Sequence, residues 1–407
     1  MEIVYIFADN PNEENCSKHN CKFPAESVNR TGKHRAKILF ANQFIQNSAQ
    51  VQEFCAPADI FIIERNFFGD MLTIMQFWKT RGKSMMAIFD DAYQLILPDN
   101  PAHKFWKENL TRNPQQNITK RVFDLLQGSI VDDALWNNIE KEERGKISNE
   151  MLEILQKHVP KVEEEIPMLV PALKQFEWGL KMVKGIQVPS KALAEDWAFA
   201  NDTYHINNYI NEKKYQNVKP LYPKNEDEIV VGWHGSLSHV ASFEQSSIIQ
   251  ALENVANKRN NVVIYMGGDE RNYNALNLPE NKKRHHKYVP EEMWPQLLTT
   301  MDIALAPLAT EYDKRRSWIK VLEYMALEIP WIATAFPPYQ DLREYGILVN
   351  NSVEEWENAI DTMIDNLDYY KNDVAKAGLD FALTQTYDGN IEKTIEIYQK
   401  NIDKEYE

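Results

Sequence analysis

Residues 302–334 read DIALAPLATEYDKRRSWIKVLEYMALEIPWIAT, and the fold is decided there. A short apolar run, Ile303 to Ala306, stops at Pro307, and a charged loop follows it. A segment with apolar residues at helical spacing then begins near Ser317, and a second apolar run, Trp331 to Thr334, starts directly after Pro330. Strand, loop, helix, strand is the crossover unit of a parallel sheet, because parallel strands cannot be joined by a tight turn. The sequence places Ser317 to cap the helix and Lys320 within its first turn, while Trp318, Ile319, Leu322 and Met325 bury the other faces.

The same alternation extends both ways. EIVVGWHGS (228–236), VVIYMGG (262–268), HKYVP (286–290) and YGILV (345–349) read as further strands, with helical segments such as EEMWPQLLTT (291–300) between them. This predicts a doubly wound domain over 228–378, followed by an amphipathic helical tail over 379–407 able to return to the first domain. Residues 211–227, rich in Asn, Lys, Tyr and Pro, read as an interdomain linker. Within 1–210 the runs EIVYIFA, ADIFIIER and SMMAIFDD alternate with helix-like stretches, and 104–165 interrupts them as a charge-rich helical insertion. GIQVPSKALAEDW (185–197) closes this domain, with Ser190 capping its helix. The fold class is α/β: two Rossmann-like doubly wound parallel-sheet domains facing across a cleft, with ligands at the carboxyl ends of strands.

Composition narrows the functions. A chain of 407 residues is long enough for two or three domains with their own cores. Lys and Arg number 45 against 60 Asp and Glu, for a net charge of −15, so the surface as a whole repels nucleic-acid backbones. Three cysteines are too few for a disulfide scaffold, and the start of the chain has no export signal. The expected compartment is the cytoplasm; no apolar run approaches the ~18 residues needed to span a bilayer, which leaves only peripheral membrane contact. Glycine, at 14, is about half its usual ~7% share, and no GxGxxG occurs. Gly82-Lys83-Ser84 lacks the upstream glycine of a P-loop and precedes a strand. HExxH is absent, and Cys16, His19 and Cys21 lack a fourth metal ligand.

Three loops of the second domain carry candidate chemistry. In GWHGSLSH (232–239) Gly235 and Ser236 can turn amide groups toward an anion, although an ordinary strand-to-helix turn looks the same. In the loop before the 317 helix, Arg315, Arg316 and Lys320 supply positive charge at the helix's positive end. Glu323, three residues after Lys320, shares its face. Cations for phosphates beside a carboxylate for ribose hydroxyls suit a nucleoside diphosphate; the plain alternative is a solvated helix start. In KYVPEEMW, Tyr288 and Val289 follow a strand directly, where backbone groups can read a nucleobase edge or simply form a loop.

Together GWHGSLSH, VVIYMGG and KRRSWIKVLEYMALEIPWIAT resemble the donor half of GT-B fold glycosyltransferases of the retaining, nucleotide-sugar-dependent group, over about 228–350. The resemblance implies that Glu323, the second Glu of the family's E-x7-E pattern, binds the donor ribose, while the first Glu falls on Arg315. It implies that Lys320 and Arg316 bind the diphosphate and neutralise the leaving group, with Gly235 and Ser236 as further donors. Glu328 stands where the family has a glycine that ends the helix. No DxD-type metal pair occurs in the second domain, so the expected mechanism needs no metal and no cofactor beyond a UDP- or GDP-sugar. The first domain would bind the acceptor, a glycan, lipid-linked saccharide, protein or modified DNA base. Asp90 and Asp91 at a strand end can position or deprotonate its hydroxyl, or cap the next segment. His234 and His239 are further candidates, and KKRHHK (282–287) reads as a solvated turn or an anion grip. A nucleotide-sugar epimerase and a non-catalytic glycan or nucleotide binder are the competing readings.

Overall fold

The computed structural model describes residues 1–9, 17–98, 100, 102–108, 117–118, 166–167, 171–223, 225–235 and 237–406. Most of the expected 104–165 insertion, together with Cys16 and Ser236, lies outside the described residues. By internal contacts the chain forms two units, Met1–Ile206 with Ile391–Glu407, and Asn207–Asn390.

The first unit is built on β1 (Glu2–Phe7), β2 (Arg35–Phe40), β3 (Ile60–Glu64), β4 (Ser84–Ile88), β5 (Gly185–Val188) and β6 (Thr203–His205). They pair in the order β2-β1-β3-β4-β5-β6, all parallel. The central strands are buried along their length because helices cover both faces, and this is why they read as unbroken apolar runs rather than alternating ones. Strand β2, with RAKILF on an outer edge, is half-exposed and gives no such run. Ser190 caps the helix Lys191–Trp197 by accepting the Leu193 N–H at 3.2 Å. Ile391, Ile395 and Tyr398 of the last helix pack into this sheet's core, where Tyr398 donates to the Gln187 side chain at 3.2 Å.

The second unit is built on β7 (Ile229–Gly235), β8 (Val262–Gly268), β9 (Lys283–His286), β10 (Ile303–Ala306), β11 (Trp331–Thr334) and β12 (Ile347–Val349). The order is β9-β8-β7-β10-β11-β12, all parallel. This order reverses direction between β7 and β10, so the loops leaving those two strands diverge at their carboxyl ends. The third strand is KRHH and ends at His286, whereas the sequence reading began it there. Charged side chains fit this position because β9 is the outermost strand and one of its sides faces water. The charge run is thus a strand: Lys282 and Lys283 donate to main-chain carbonyls at 2.8 and 2.9 Å, and Arg284 pairs with Glu228 at 2.6 Å. Residues 211–227, read as a linker, contribute contacts within this unit: Leu221 N–H bonds Gln296 at 2.9 Å, and Tyr215 is buried in its core. Among the described residues no helix is long and apolar enough to cross a membrane.

The helix after the decisive loop is α1 (Ile319–Ala326), one residue later than expected, with Trp318 rather than Ser317 at its N-cap. The Ser317 hydroxyl still accepts the Ile319 N–H at 3.2 Å. At its other end Glu328 takes a left-handed φ of 53° and completes a Schellman stop: Ile329 N–H bonds Tyr324 at 3.0 Å and Glu328 N–H bonds Met325 at 3.1 Å. A side chain at that φ costs roughly 1–2 kcal/mol, partly offset by the greater freedom that glycine has in the unfolded chain. Glu328→Gly is therefore expected to stabilise the second unit by about 0.5–1 kcal/mol, read as a higher urea midpoint at unchanged slope.

Candidate functional site

The carboxyl ends of β7, β8, β9 and β10 and the start of α1 converge through side chains that cross between them. Gly235 ends β7, where a Cβ would overlap the Trp233 ring, and a Cβ at Gly267 in β8 would overlap the His234 ring. These glycines let the two strand ends close tightly over aromatic side chains. Lys320, the second residue of α1, donates its Nζ to the main-chain oxygen of His234 and lies over the Trp233 ring at 5.6 Å. Burial pushes the Lys320 ammonium down to about 8; Glu323 raises it and Arg316 lowers it further. Among the described residues Lys320 forms no ion pair, so its charge is offset only at a distance.

Arg316 is fixed differently. Its Nε donates to Asp313 Oδ1 at 2.8 Å and its Nη2 to the Ser238 carbonyl at 2.7 Å, which ties the charged loop to the loop after β7. Asp313 is fully buried and also accepts from Ser242 Oγ at 2.8 Å, from the N–H groups of Ala309 and Thr310 at 3.0 Å, and from Thr310 Oγ1 at 2.9 Å. Burial opposes its ionisation, but the Arg316 guanidinium and those N–H groups outweigh burial and hold its pKa below the usual carboxylate range. Asp313 was not singled out in the sequence; the local signal is Thr310-x-x-Asp313-x-x-Arg316, a turn whose carboxylate faces both neighbours at three-residue spacing. Arg315 pairs with Glu311 at 3.0 Å, away from this network.

Glu323, 7% exposed, accepts from Tyr215 OH at 2.5 Å and Trp294 Nε1 at 3.2 Å, both on Oε1. The Trp294 ring stands perpendicular to that of His234, with centroids 4.0 Å apart, and Tyr288 meets the same imidazole edge-on at 6.3 Å. Tyr288 is 58% exposed, while Val289 is half-buried and packs on the core. His234 is 2% exposed; burial first, then Lys320, His286 and His285, keep its pKa well below the ordinary value. His239 is shifted the same way by burial, then by Arg316, Lys320 and His234. Both imidazoles stay neutral at pH 7. The structure thus joins Gly235, Arg316, Ser317, Lys320, Glu323, Tyr288 and Val289 in one region of the second unit.

In the first unit Asp90 and Asp91 follow β4 and are half-buried. The group the sequence reading passed over is Glu64, the fully buried last residue of β3. It accepts the Ala8 N–H at 3.0 Å and Asn20 Nδ2 at 3.1 Å. Burial pushes its carboxyl up to about 7 against the hydrogen bonds from Ser17, Ala8 and Asn20, and the Asp90 charge adds to the rise. Arg65, at a strained φ of 30°, pairs with Asp9. His19 packs on the Phe23 ring and the Cys21 thiol is buried beside Glu64; among the described residues no group of His, Cys, Asp or Glu is arranged to hold a metal ion.

Asp313→Asn leaves the half-buried Arg316 guanidinium without its buried counter-charge and is expected to cost about 3 kcal/mol. Since the native pKa of Asp313 is depressed, its contribution is complete above the unfolded value near 4 and is lost as the pH falls through the native one. Thermal melting from pH 7 to 3 should show a shallower acid decline in the variant.

Residues 228–366 match the family model described as glycosyl transferases group 1. No curated protein matches the chain. Among solved structures the chain is similar to a glycosyltransferase from Rickettsia africae, with TM-score 0.58, 11% identity and 99% of both chains covered. It is similar to Anabaena HepE in complex with UDP and glucose, with TM-score 0.54, 13% identity and coverage of 98% of this chain and 99% of that one. A putative UDP-N-acetylglucosamine 2-epimerase from Listeria monocytogenes aligns with TM-score 0.51 and 9% identity over 100% of this chain and 98% of the other. Two parallel six-stranded α/β units give this chain the GT-B fold, and residues 228–366 of the second unit match the group 1 glycosyl transferase model.

Proposed function

We propose that the chain moves a sugar from a nucleoside diphosphate donor to an acceptor hydroxyl, with retention at the anomeric carbon and without a metal ion. The observation that carries this reading is Lys320: a desolvated ammonium without an ion-pair partner among the described residues, held on the His234 carbonyl at the mouth of a parallel sheet. Such a charge is stabilised by an anion arriving beside it. With Arg316 it would face the donor pyrophosphate, Glu323 would accept a ribose hydroxyl, and Gly235 and Ser236 would offer further donors. Tyr288 and Val289 would lie along the base.

As the bond from anomeric carbon to phosphate oxygen breaks, negative charge grows on the departing diphosphate, and fixed cations lower that barrier most where water is scarce. For retention the acceptor oxygen bonds the anomeric carbon on the face the diphosphate leaves and passes its proton to the departing phosphate oxygen, and Asp90 or Asp91 is the proposed group that positions the hydroxyl. HepE's complex with UDP and glucose makes UDP-glucose the first donor to test, ahead of GDP-sugars. The acceptor class remains a glycan, lipid-linked saccharide, protein or modified DNA base, and the proposed setting is the cytoplasm. The Listeria neighbour favours one second reading, epimerisation, in which donor incubated alone yields an epimeric sugar nucleotide and no free diphosphate.

Lys320→Ala is expected to lower transfer by roughly 10²–10³, and Glu323→Ala to raise the donor KM about tenfold; parental rates in both variants overturn the site. Donor affinity should also fall as the pH rises through about 8, where free Lys320 loses its proton. The limit is about tenfold per pH unit if the bound ammonium stays charged. Calorimetric titration of UDP from pH 6.5 to 9.5 should show this break in the parent and none in Lys320→Met.

A further inference from the structure

Glu323 receives both of its hydrogen bonds on one oxygen. Tyr215 OH reaches Oε1 at 2.5 Å and Trp294 Nε1 reaches the same atom at 3.2 Å. A carboxylate oxygen has two lone-pair sites, so these donors saturate Oε1, and Oε2 accepts nothing from the described residues. The donors come from separate segments: Tyr215 closes the single turn Glu212–Lys214, and Trp294 opens the short helix Trp294–Leu298. Two donors from different directions fix the carboxylate plane, which in an unheld glutamate rotates almost freely about its last torsion. The Trp294 ring also abuts His234, whose carbonyl holds Lys320.

We infer that Tyr215 and Trp294 are positioning residues that occupy Oε1 of Glu323 and leave Oε2 as the single acceptor for a ribose hydroxyl of the nucleotide. This rests on the reading of Glu323 as the ribose carboxylate. The ligand class it selects is a ribonucleoside diphosphate, in preference to its deoxy counterpart. A nucleotide lacking the contacted hydroxyl leaves Oε2 dry and unpaired, and a fixed acceptor discriminates more sharply than one free to turn back to solvent. Fixing it in advance also removes an ordering cost from donor binding.

The test titrates the full chain and its Tyr215→Phe, Trp294→Phe and Glu323→Ala variants with UDP, 2′-deoxy-UDP and 3′-deoxy-UDP, each variant first shown to melt cooperatively. The parent is expected to prefer UDP over one deoxy analogue by about tenfold. Tyr215→Phe and Trp294→Phe should each narrow that preference about threefold by weakening UDP alone, and Tyr215→Phe should add nothing to Glu323→Ala. If the parent binds all three nucleotides equally, or Glu323→Ala keeps the parental preference, the ribose reading itself fails. If Glu323→Ala abolishes the preference while both aromatic variants retain it, or they weaken all three nucleotides alike, Glu323 keeps its role and the positioning inference is overturned.

Discussion

One ammonium group on one main-chain carbonyl ties the end of β7 to the start of α1. Lys320 is half-buried at the start of α1, whose buried face carries Val321, Leu322, Tyr324 and Met325. The burial of those side chains fixes the helix from which Lys320 projects. Its neighbours are arranged so that none cancels it at contact distance. Arg316 is already neutralised by Asp313, and Glu323 is held on Tyr215 and Trp294. The two neutral histidines add no positive charge to the same space. Lys320 is thus a cation without an ion-pair partner among the described residues, while Arg316 is a paired one that braces two loops.

The two cations are held in place by different means. The Asp313 network satisfies the backbone of the charged loop from within. Deeply buried ion pairs add little net stability compared with apolar packing, and their value lies in specifying one arrangement. Here the arrangement is the junction between the loops after β7 and β10, where the sheet order reverses.

Much of this was legible in the chain. The strands buried on both faces announce themselves as apolar runs, and the helix carrying Lys320 and Glu323 does so through its period. Edge strands are less legible: β2 and β9 have a solvent side, and RAKILF and KRHH contain the charged residues that such a side demands. Side-chain partnerships across long separations leave almost no local signal. Tyr215 sits in a stretch whose composition reads as a linker, yet its hydroxyl meets Glu323 across 108 positions. Glu64 ends a run of isoleucines, and only its surroundings reveal a carboxyl that titrates near neutrality.

The character of β9 reaches beyond the single molecule. An unpaired strand edge offers a ladder of amide and carbonyl groups that a second chain can extend, and a flat apolar edge invites such growth. In β9 that rim is studded with Lys283, Arg284, His285 and His286, and β2 presents Arg35 and Lys37 on the rim of the other sheet. Bringing two such rims together would press like charges against each other. Both sheets therefore guard an open flank against fibril-like stacking when the protein is crowded.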